Sequence, residues 1–290
     1  MIDGHTKLVG LLGWPVEHSL SPVMHNAAFD ALGLNWRCVP LPVPPGQVKV
    51  AVRGLAAMGF RGANVTVPHK QAVMDVLDSI APDAKELGAV NTLVVSRNAD
   101  GAAAMIGYNT DAQGFVGALR EGGFEPENGV STVVVGAGGA ARAVVYGLLR
   151  SGIGEIVVLN RTLERAQALV TDLGGSRALP LTPETLVESA RAADLLVNTT
   201  TVGMWPRVDG SVWPDDVPVP AHLTVFDLVY NPLETRLLRQ ARKSGARGID
   251  GLGMLVRQGA LAFELWTNQG LTLDEIAEPM RTACERVLRG

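Results

Sequence analysis

The sequence predicts an α/β fold in two αβ domains, and three observations predict it. In the first third of the chain, short apolar runs alternate with stretches of helical period, as strands alternate with helices. At Thr132-Val133-Val134-Val135 a β-branched run enters Gly136-Ala137-Gly138-Gly139 and then an alanine-rich helix former, residues 140–149, so strand, tight turn and helix follow without a gap. Further strand and helix signals continue to Gly253, after which two helical stretches close the chain.

Composition narrows the class. The 290 residues suit one large or two modest domains, and 47% apolar content can fill their cores. A net charge of −4 with both signs mixed predicts neither nucleic-acid nor membrane-surface binding. Two cysteines, Cys38 and Cys284, make neither a disulfide framework nor a metal quartet, and they point to a reducing compartment. The first residues lack a basic segment followed by a long apolar run, and no stretch reaches membrane-spanning length. A soluble cytoplasmic protein is the expectation.

Residues 7–12 read as a buried strand. It runs into the polar loop Gly13-Trp14-Pro15-Val16-Glu17-His18-Ser19-Leu20-Ser21-Pro22, with Ser21 suited to an N-cap and Pro22 to the first helical position. Val23, Ala27, Ala28, Ala31 and Leu32 then mark the apolar face of a helix that Gly33 ends. Ser19 and Ser21 stand at this helix mouth either as a cap or as a hydroxyl pair for a carboxylate. Residues 36–43 read as a strand that Pro40 and Pro42 assign to a sheet edge. Residues 47–58 read as a helix and residues 62–67 as a strand closed by Pro68. His69 and Lys70 open a further helix ending near Leu77. Thr66 and Lys70 thus fall beyond the carboxyl end of a strand, where ligands of such sheets sit. The chain has 5 lysines against 20 arginines, so a lysine in a turn invites explanation. A lysine can lose its proton when desolvated and serve as general acid or base; a solvated lysine on a first helical turn is the plainer alternative.

Residues 88–95 read as turn and strand, with Asn91 able to offer its amide to a hydroxyl or to serve the turn. A hairpin-like turn follows at Asn98-Ala99-Asp100-Gly101. Gly107-Tyr108-Asn109-Thr110-Asp111 leads into a helix ending near Arg120. Asp111 stands at its start, as N-cap or as ligand group, at the junction of the two domains.

In the second domain Gly136, Gly138 and Ala141 fit G-x-G-x-x-A, the spacing of a Rossmann-like dinucleotide site. The first glycine permits the turn, the second admits a pyrophosphate to the backbone, and the small third position lets the helix pack on the strand. The backbone of Gly136, Ala137, Gly138, Gly139 and Ala140 would face the phosphates at the positive end of that helix. Residues 155–159 read as the next strand. At its end an NAD-selective fold places a carboxylate; this chain places Asn160-Arg161-Thr162, with Arg165 one helical turn on. A guanidinium matches a 2′-phosphate in fork geometry, and cations are poorly placed at a helix start without an anion. The reading is therefore NADP(H). Arginines that merely cover the helix start are the alternative.

Thr182-Pro183-Glu184 starts a helix, and residues 194–197 form a strand ending in the polar Asn198-Thr199-Thr200. A long proline-rich loop runs to Pro220. Residues 224–229 form a strand followed by Tyr230, and Asn231-Pro232-Leu233-Glu234 carries a helix-start signature. A last short strand ends in the stretch from Gly248 to Gly253. A helix from Met254 to Trp266 carries Gln258, and Thr272 with Glu275 forms a capping box for the final helix. Asn198, Thr199 and Gly253 are assigned to the cofactor side. The two terminal helices are expected to return to the first domain.

Taken together, these pieces resemble the NADP-dependent shikimate dehydrogenases over nearly the whole length. The resemblance rests on Gly13-x-Pro15-x-x-His18-Ser19-x-Ser21-Pro22-x-x-His25-Asn26, Asn64-Val65-Thr66-Val67-Pro68-His69-Lys70, Gly88-Ala89-Val90-Asn91-Thr92, Gly107-x-Asn109-Thr110-Asp111 and Gly251-x-Gly253-Met254-Leu255-Val256-x-Gln258, with the glycine loop and its arginines. It implies a substrate-binding domain (residues 1–111, completed by helices 254–290), an NADP-binding domain (residues 112–253) and a cleft between them. By the same likeness Ser19, Ser21 and Tyr230 hold a carboxylate, and Thr66, Asn91, Asp111 and Gln258 bind hydroxyls. Lys70, paired with Asp111, is the acid/base in reducing the C3 ketone of 3-dehydroshikimate to shikimate. No metal is implied, and the histidines show no metal-ligand spacing. A homodimer is the assembly considered, though the residues do not choose it. Two alternatives stand beside this reading. One is a quinate/shikimate dehydrogenase. The other is a ligand sensor on the same scaffold, expected to lack Lys70, Asp111 or the glycine loop, all of which are present.

Overall fold

The computed structural model of the chain describes residues 2–97, 100–174 and 176–289. Two units emerge, Met1–Thr110 with Val256–Gly290, and Asp111–Leu255. Each is built on its own six-stranded sheet.

The first unit runs β1 (Lys7–Gly13), α1 (Ser21–Ala31), β2 (Trp36–Pro42), α2 (Val48–Ala57), β3 (Gly62–Val65), β4 (Ser79–Ile80), α3 (Pro82–Leu87), β5 (Thr92–Arg97) and β6 (Ala103–Tyr108). Its strand order is β2-β1-β3-β5-β6-β4. β2 lies parallel to β1 from Lys7↔Trp36 to Gly13↔Pro42, at the edge its prolines demand. β5 runs antiparallel to both β3 and β6, and β6 pairs parallel with β4; Asn98 and Ala99 of the hairpin-like turn expected between β5 and β6 lie outside the described residues. Leu12, Ala63, Val65 and Leu93 bury one sheet face against Val52 and Leu55 of α2.

Three local expectations need correction in this unit. First, α1 begins at Ser21 rather than being capped by it; the residue before the helix is Leu20. Its buried stripe is Met24, His25, Ala28 and Phe29, whereas Val23 is 38% exposed. Apolar character misplaced the face by one residue because the polar His25 is a core side chain. Second, no α-helix follows Lys70. Residues 66–73 form turns and only Met74–Val76 winds, as a 3-10 turn. The backbone explains this: Val90 N donates to Lys70 O at 2.8 Å, a long-range bond that takes a carbonyl a helix would use. Third, α3 was not foreseen, although Pro82 at its start and the left-handed Gly88 at its end are ordinary boundary signals.

The second unit runs α4 (Asp111–Glu121), β7 (Ser131–Val135), α5 (Gly139–Arg150), β8 (Glu155–Asn160), α6 (Leu163–Leu173), β9 (Ser176–Pro180), α7 (Pro183–Arg191), β10 (Leu195–Asn198), β11 (Thr224–Asp227), α8 (Arg236–Lys243) and β12 (Arg247–Ile249). All its strands are parallel, in the order β12-β11-β10-β7-β8-β9. This is the doubly wound Rossmann order, and it reverses between β7 and β10. Period-two burial builds both layers: Val134, Val158 and Val197 face one core with Phe115 and Phe226, and Val133, Val135 and Leu196 face the other with Trp213 and Leu238. Each such fully buried side chain contributes about 1.5–3 kcal/mol. The helix-start signature at Asn231 does not start a helix. α8 begins at Arg236, capped by Thr235, whose Oγ1 accepts from Leu238 N; Asn231–Pro232 is instead a cis bond in a loop.

Two helices close the chain, α9 (Leu252–Thr267) and α10 (Leu273–Arg289). α9 starts two residues earlier than read from the sequence, which puts Gly253 in its first turn. α10 and the part of α9 from Val256 onward pack within the first unit, while Met254 in the first turn of α9 joins the core of the second. Trp266 Nε1 donates to Leu93 O at 2.9 Å, the Phe263 and Phe29 rings stack at 4.8 Å, and α10 lies against α1. Thr272 and Glu275 close the expected capping box. Burial pushes both thiols, Cys38 on β2 and Cys284 on α10, up to about 12. No described helix is long and apolar enough to cross a membrane.

Candidate active site

In the first unit a buried polar network sits at the ends of β3, β5 and β6. Asn91 is 2% exposed. Its Oδ1 accepts from Thr110 N at 2.9 Å and from Thr92 Oγ1 at 2.9 Å, and its Nδ2 donates to Thr110 Oγ1 at 2.9 Å. A longer bond, 3.4 Å, runs from Nδ2 to Gln258 Oε1 on α9. The backbone ties the other candidates to this point. Val65 N donates to Asn91 O at 2.7 Å, and Val90 N donates to Lys70 O. Thr66 and Lys70 therefore flank Asn91 on one turn, whose His69 is buried and donates from Nε2 to Val43 O at 2.6 Å. Gly13 is required beside it, since a Cβ there would collide with the Thr66 methyl.

His25 and Asn64 extend the network. His25 Nε2 donates to Asn64 Oδ1 at 2.9 Å, and Asn64 Nδ2 donates to Asn91 O and Thr92 Oγ1, both at 3.4 Å. Burial holds the His25 imidazole down to about 4, against a smaller opposing effect of its bond to Asn64, so the ring is neutral. Sequence reasoning gave no site role to Asn64, Thr92 or Thr110, although each stands inside a motif it quoted.

Ser19 and Ser21 pair with each other. Ser21 N donates to Ser19 Oγ and Ser19 Oγ donates to Ser21 Oγ, each at 3.2 Å. Ser21 Oγ keeps its own proton to give. Ser19, not Ser21, is thus the side chain that receives a helix-start N–H.

In the second unit the glycine loop sits at the reversal of strand order. Gly136 has φ +113°, a left-handed conformation, and a Cβ there would strike Thr199 Oγ1. Thr199 N and Oγ1 both donate to Val135 O, at 2.9 and 2.7 Å, which closes β10 against β7. Around Gly138 and Gly139 the space for a Cβ is open, and α5 starts there with no side-chain cap and no acid in its first turn. The N–H groups of that start face the kind of gap a phosphate fills.

A cavity of about 710 Å³ follows, lined by Asn160, Arg161, Thr200, Gly203 and Arg207 among others. Asn160 Nδ2 donates to Thr162 O at 2.8 Å, which fixes the turn that presents Arg161. Arg165 is exposed on α6 and does not line the cavity. Arg207 does line it and was not foreseen; it sits in the long loop, where no local pattern signals a site. Asn198 is fully buried as the last residue of β10, and Tyr230 is half-buried on the loop after β11. Asp111 is buried at the first position of α4, and Gly253 is buried in α9. Burial lifts the Asp227 carboxyl to about 6, against the opposing bonds from Thr235, Val229 and Asn198. Among the described residues no group of three or more His, Cys, Asp or Glu could hold a metal ion.

Comparisons with known proteins converge on one family. Residues 11–93 match the shikimate dehydrogenase substrate binding domain, 120–205 shikimate / quinate 5-dehydrogenase, and 251–271 the shikimate 5′-dehydrogenase C-terminal domain. The chain is 47% identical over 282 residues to shikimate dehydrogenase (NADP(+)) of Methanopyrus kandleri, covering 96% of each. It matches the crystal structure of shikimate 5-dehydrogenase from Thermus thermophilus in complex with NADP(H) and shikimate, at TM-score 0.83 and 39% identity, over 96% of this chain and 100% of that one. It also matches quinate dehydrogenase from Corynebacterium glutamicum in complex with NAD, at TM-score 0.82 and 33% identity, over 94% and 98% of the two chains.

Proposed function

The chain belongs to the shikimate dehydrogenase family, and from that premise we propose that it catalyses the reversible NADPH-dependent reduction of 3-dehydroshikimate to shikimate. The observation that carries the site assignment is the turn holding Thr66 and Lys70, pinned by backbone bonds to Val90 and Asn91. That arrangement supports reading Lys70 as the ammonium that serves the hydroxyl-binding groups.

In this reading Ser19 and Ser21, with Tyr230, take the substrate carboxylate. Thr66, Asn91, Asp111 and Gln258 take its hydroxyls. Asn91 is heavily bonded by the protein, so a ring hydroxyl replaces a long bond, the 3.4 Å one to Gln258. Such a site discriminates sharply, because an analogue lacking the hydroxyl leaves buried groups unpaired. Lys70 gives a proton to the C3 oxygen as negative charge develops there, and takes it back in the reverse direction. Asp111 is the second catalytic residue of this reading.

The glycine loop fits a dinucleotide: open space at Gly138 and Gly139, and a helix start with unclaimed N–H groups. Gly136, Ala137, Gly138, Gly139 and Ala140 hold the pyrophosphate, and Asn198, Thr199 and Gly253 complete the cofactor's surroundings. Asn160, Arg161 and Thr162 meet the adenosine end, where Arg161 selects the 2′-phosphate, and Arg165 on α6 stands outside the cavity. The cofactor, when bound, supplies the hydride. The first unit, Met1–Thr110 with Val256–Gly290, is the substrate-binding domain and Asp111–Leu255 the NADP-binding domain. The protein is cytoplasmic and acts on the route to chorismate and the aromatic amino acids; a homodimer is the assembly to test.

A second reading, use of quinate as well as shikimate, is favoured by the likeness to quinate dehydrogenase. One experiment covers both: cofactor reduction with shikimate or quinate, each with NADP⁺ or NAD⁺. Shikimate with NADP⁺ is expected to be fastest. Turnover with none of the four pairs would overturn the proposal, and equal rates for quinate would replace it with the second reading.

A further inference from the structure

Asp227 ends β11 fully buried, and the bonds it receives come from three places. Asn198 Nδ2, at the end of β10, donates to its Oδ1 at 2.9 Å. Val229 N, one residue before Tyr230, donates to the same oxygen at 3.1 Å. Thr235 Oγ1, the cap of α8, donates to Oδ2 at 2.6 Å. All three are donors, and a carboxylate is the side chain that accepts from every direction.

The segments joined here are those the proposed function uses. Asn198 Oδ1 in turn accepts from Thr200 N at 3.1 Å and Thr200 Oγ1 at 2.7 Å, and Thr200 lines the cofactor cavity. Val229 and Thr235 bracket the loop carrying Tyr230. Backbone bonds run the same way: Leu228 N donates to Asn198 O at 3.0 Å and Trp205 N to Asn231 O at 2.9 Å. Behind the loop Gly251 N donates to Val229 O at 3.3 Å, and a Cβ on Gly251 would strike Leu228 O. The loop is thus held from both sides.

We propose that Asp227 is a positioning residue that locks the wall of the cofactor cavity to the Tyr230 loop, so that cofactor and substrate binding share one fixed frame. This rests on the reading under Proposed function. Asp227 touches neither ligand. Its work is to accept three bonds at once; an amide has a single acceptor oxygen and holds the same frame only by reversing the bond from Thr235, at the cost of the charge-assisted one.

The test uses Asp227→Asn and Thr235→Val, with Thr235→Ser as the conservative variant and Thr272→Ala as a control that removes the cap of α10. Folding is followed by circular dichroism, NADP⁺ affinity by calorimetry, and KM and kcat by turnover. Asp227→Asn is expected to weaken NADP⁺ on the order of tenfold and to lower kcat/KM for shikimate about 10²-fold, mostly through KM. Thr235→Val should move the same quantities severalfold, and Thr235→Ser should restore them. Thr272→Ala should lower thermal stability and change neither. A folded Asp227→Asn with wild-type NADP⁺ affinity and KM would overturn the proposal. So would failure of both Asp227→Asn and Thr235→Val to fold, because the bonds would then serve the fold alone. Absence of turnover in the unaltered enzyme would instead sink the functional reading, while the NADP⁺ titrations would still report on Asp227.

Discussion

The two units prepare their polar groups in opposite ways. In the first, Asn64, Asn91, Thr92, Thr110 and Gln258 are buried side chains that bond mainly to each other. In the second, the groups facing the candidate cofactor site are backbone N–H groups at Gly138 and Gly139 and guanidiniums around a wide cavity. The difference follows from what each must hold. A small ring is recognised by hydroxyl positions, which demands few groups held rigidly. A long, charged cofactor gains affinity from many separate contacts, so backbone and surface charge suffice.

The largest test of this contrast is on the rigid side. Lys70→Ala should lower kcat about 10²–10⁴-fold with little change in KM for shikimate. An unchanged kcat would remove Lys70 from the chemistry. On the open side, Arg161→Ala should weaken NADP⁺ roughly 10–100-fold and spare NAD⁺, because only one of them carries the 2′-phosphate. Equal loss for both cofactors would contradict the assignment.

Acid should separate the units by sign. His25 in the folded first unit titrates near 4 instead of 6.5, so the unfolded chain takes up the proton first. Its stabilising effect is complete above 6.5 and falls by about 2 kcal/mol between pH 7 and pH 5. Asp227 in the second unit titrates near 6 instead of 3.8, so the folded state takes up the proton first. That contributes about 1 kcal/mol of added stability over the same interval. Hydrogen exchange at pH 7 and pH 5 should show protection lost in the first unit and retained or gained in the second, and His25→Gln should abolish the first effect. The smallest effect belongs to Arg165→Ala. Because Arg165 is exposed and does not line the cavity, NADP⁺ affinity should change less than about twofold. A loss as large as that of Arg161 would mean the phosphate site extends along α6.

These contrasts also explain what the sequence disclosed. The glycine loop was legible because its chemistry is local: Gly136 must adopt positive φ and the helix must begin at once. The helix start at Thr182 and the capping box at Thr272 were legible for the same reason. Misreadings arose where a distant partner decides. A proline followed by polar residues looks like a helix start at Lys70, but the bond from Val90 holds the segment in a turn. Asn231-Pro232-Leu233-Glu234 mimics a cap, yet Thr235 supplies it while also bonding Asp227. His25 was hidden because its polarity conceals a core position. Arg207 reaches the cavity through a long loop that carries no period at all.

Cys38 and Cys284 both belong to the first unit, and both thiols are sealed from water and held protonated. A thiolate-seeking reagent finds nothing to attack in the native chain. It becomes reactive only when β2 or α10 comes loose, and the other half of the molecule has no cysteine to contribute signal. Maleimide labelling is therefore a built-in clock for the opening of one half alone, without any engineered label.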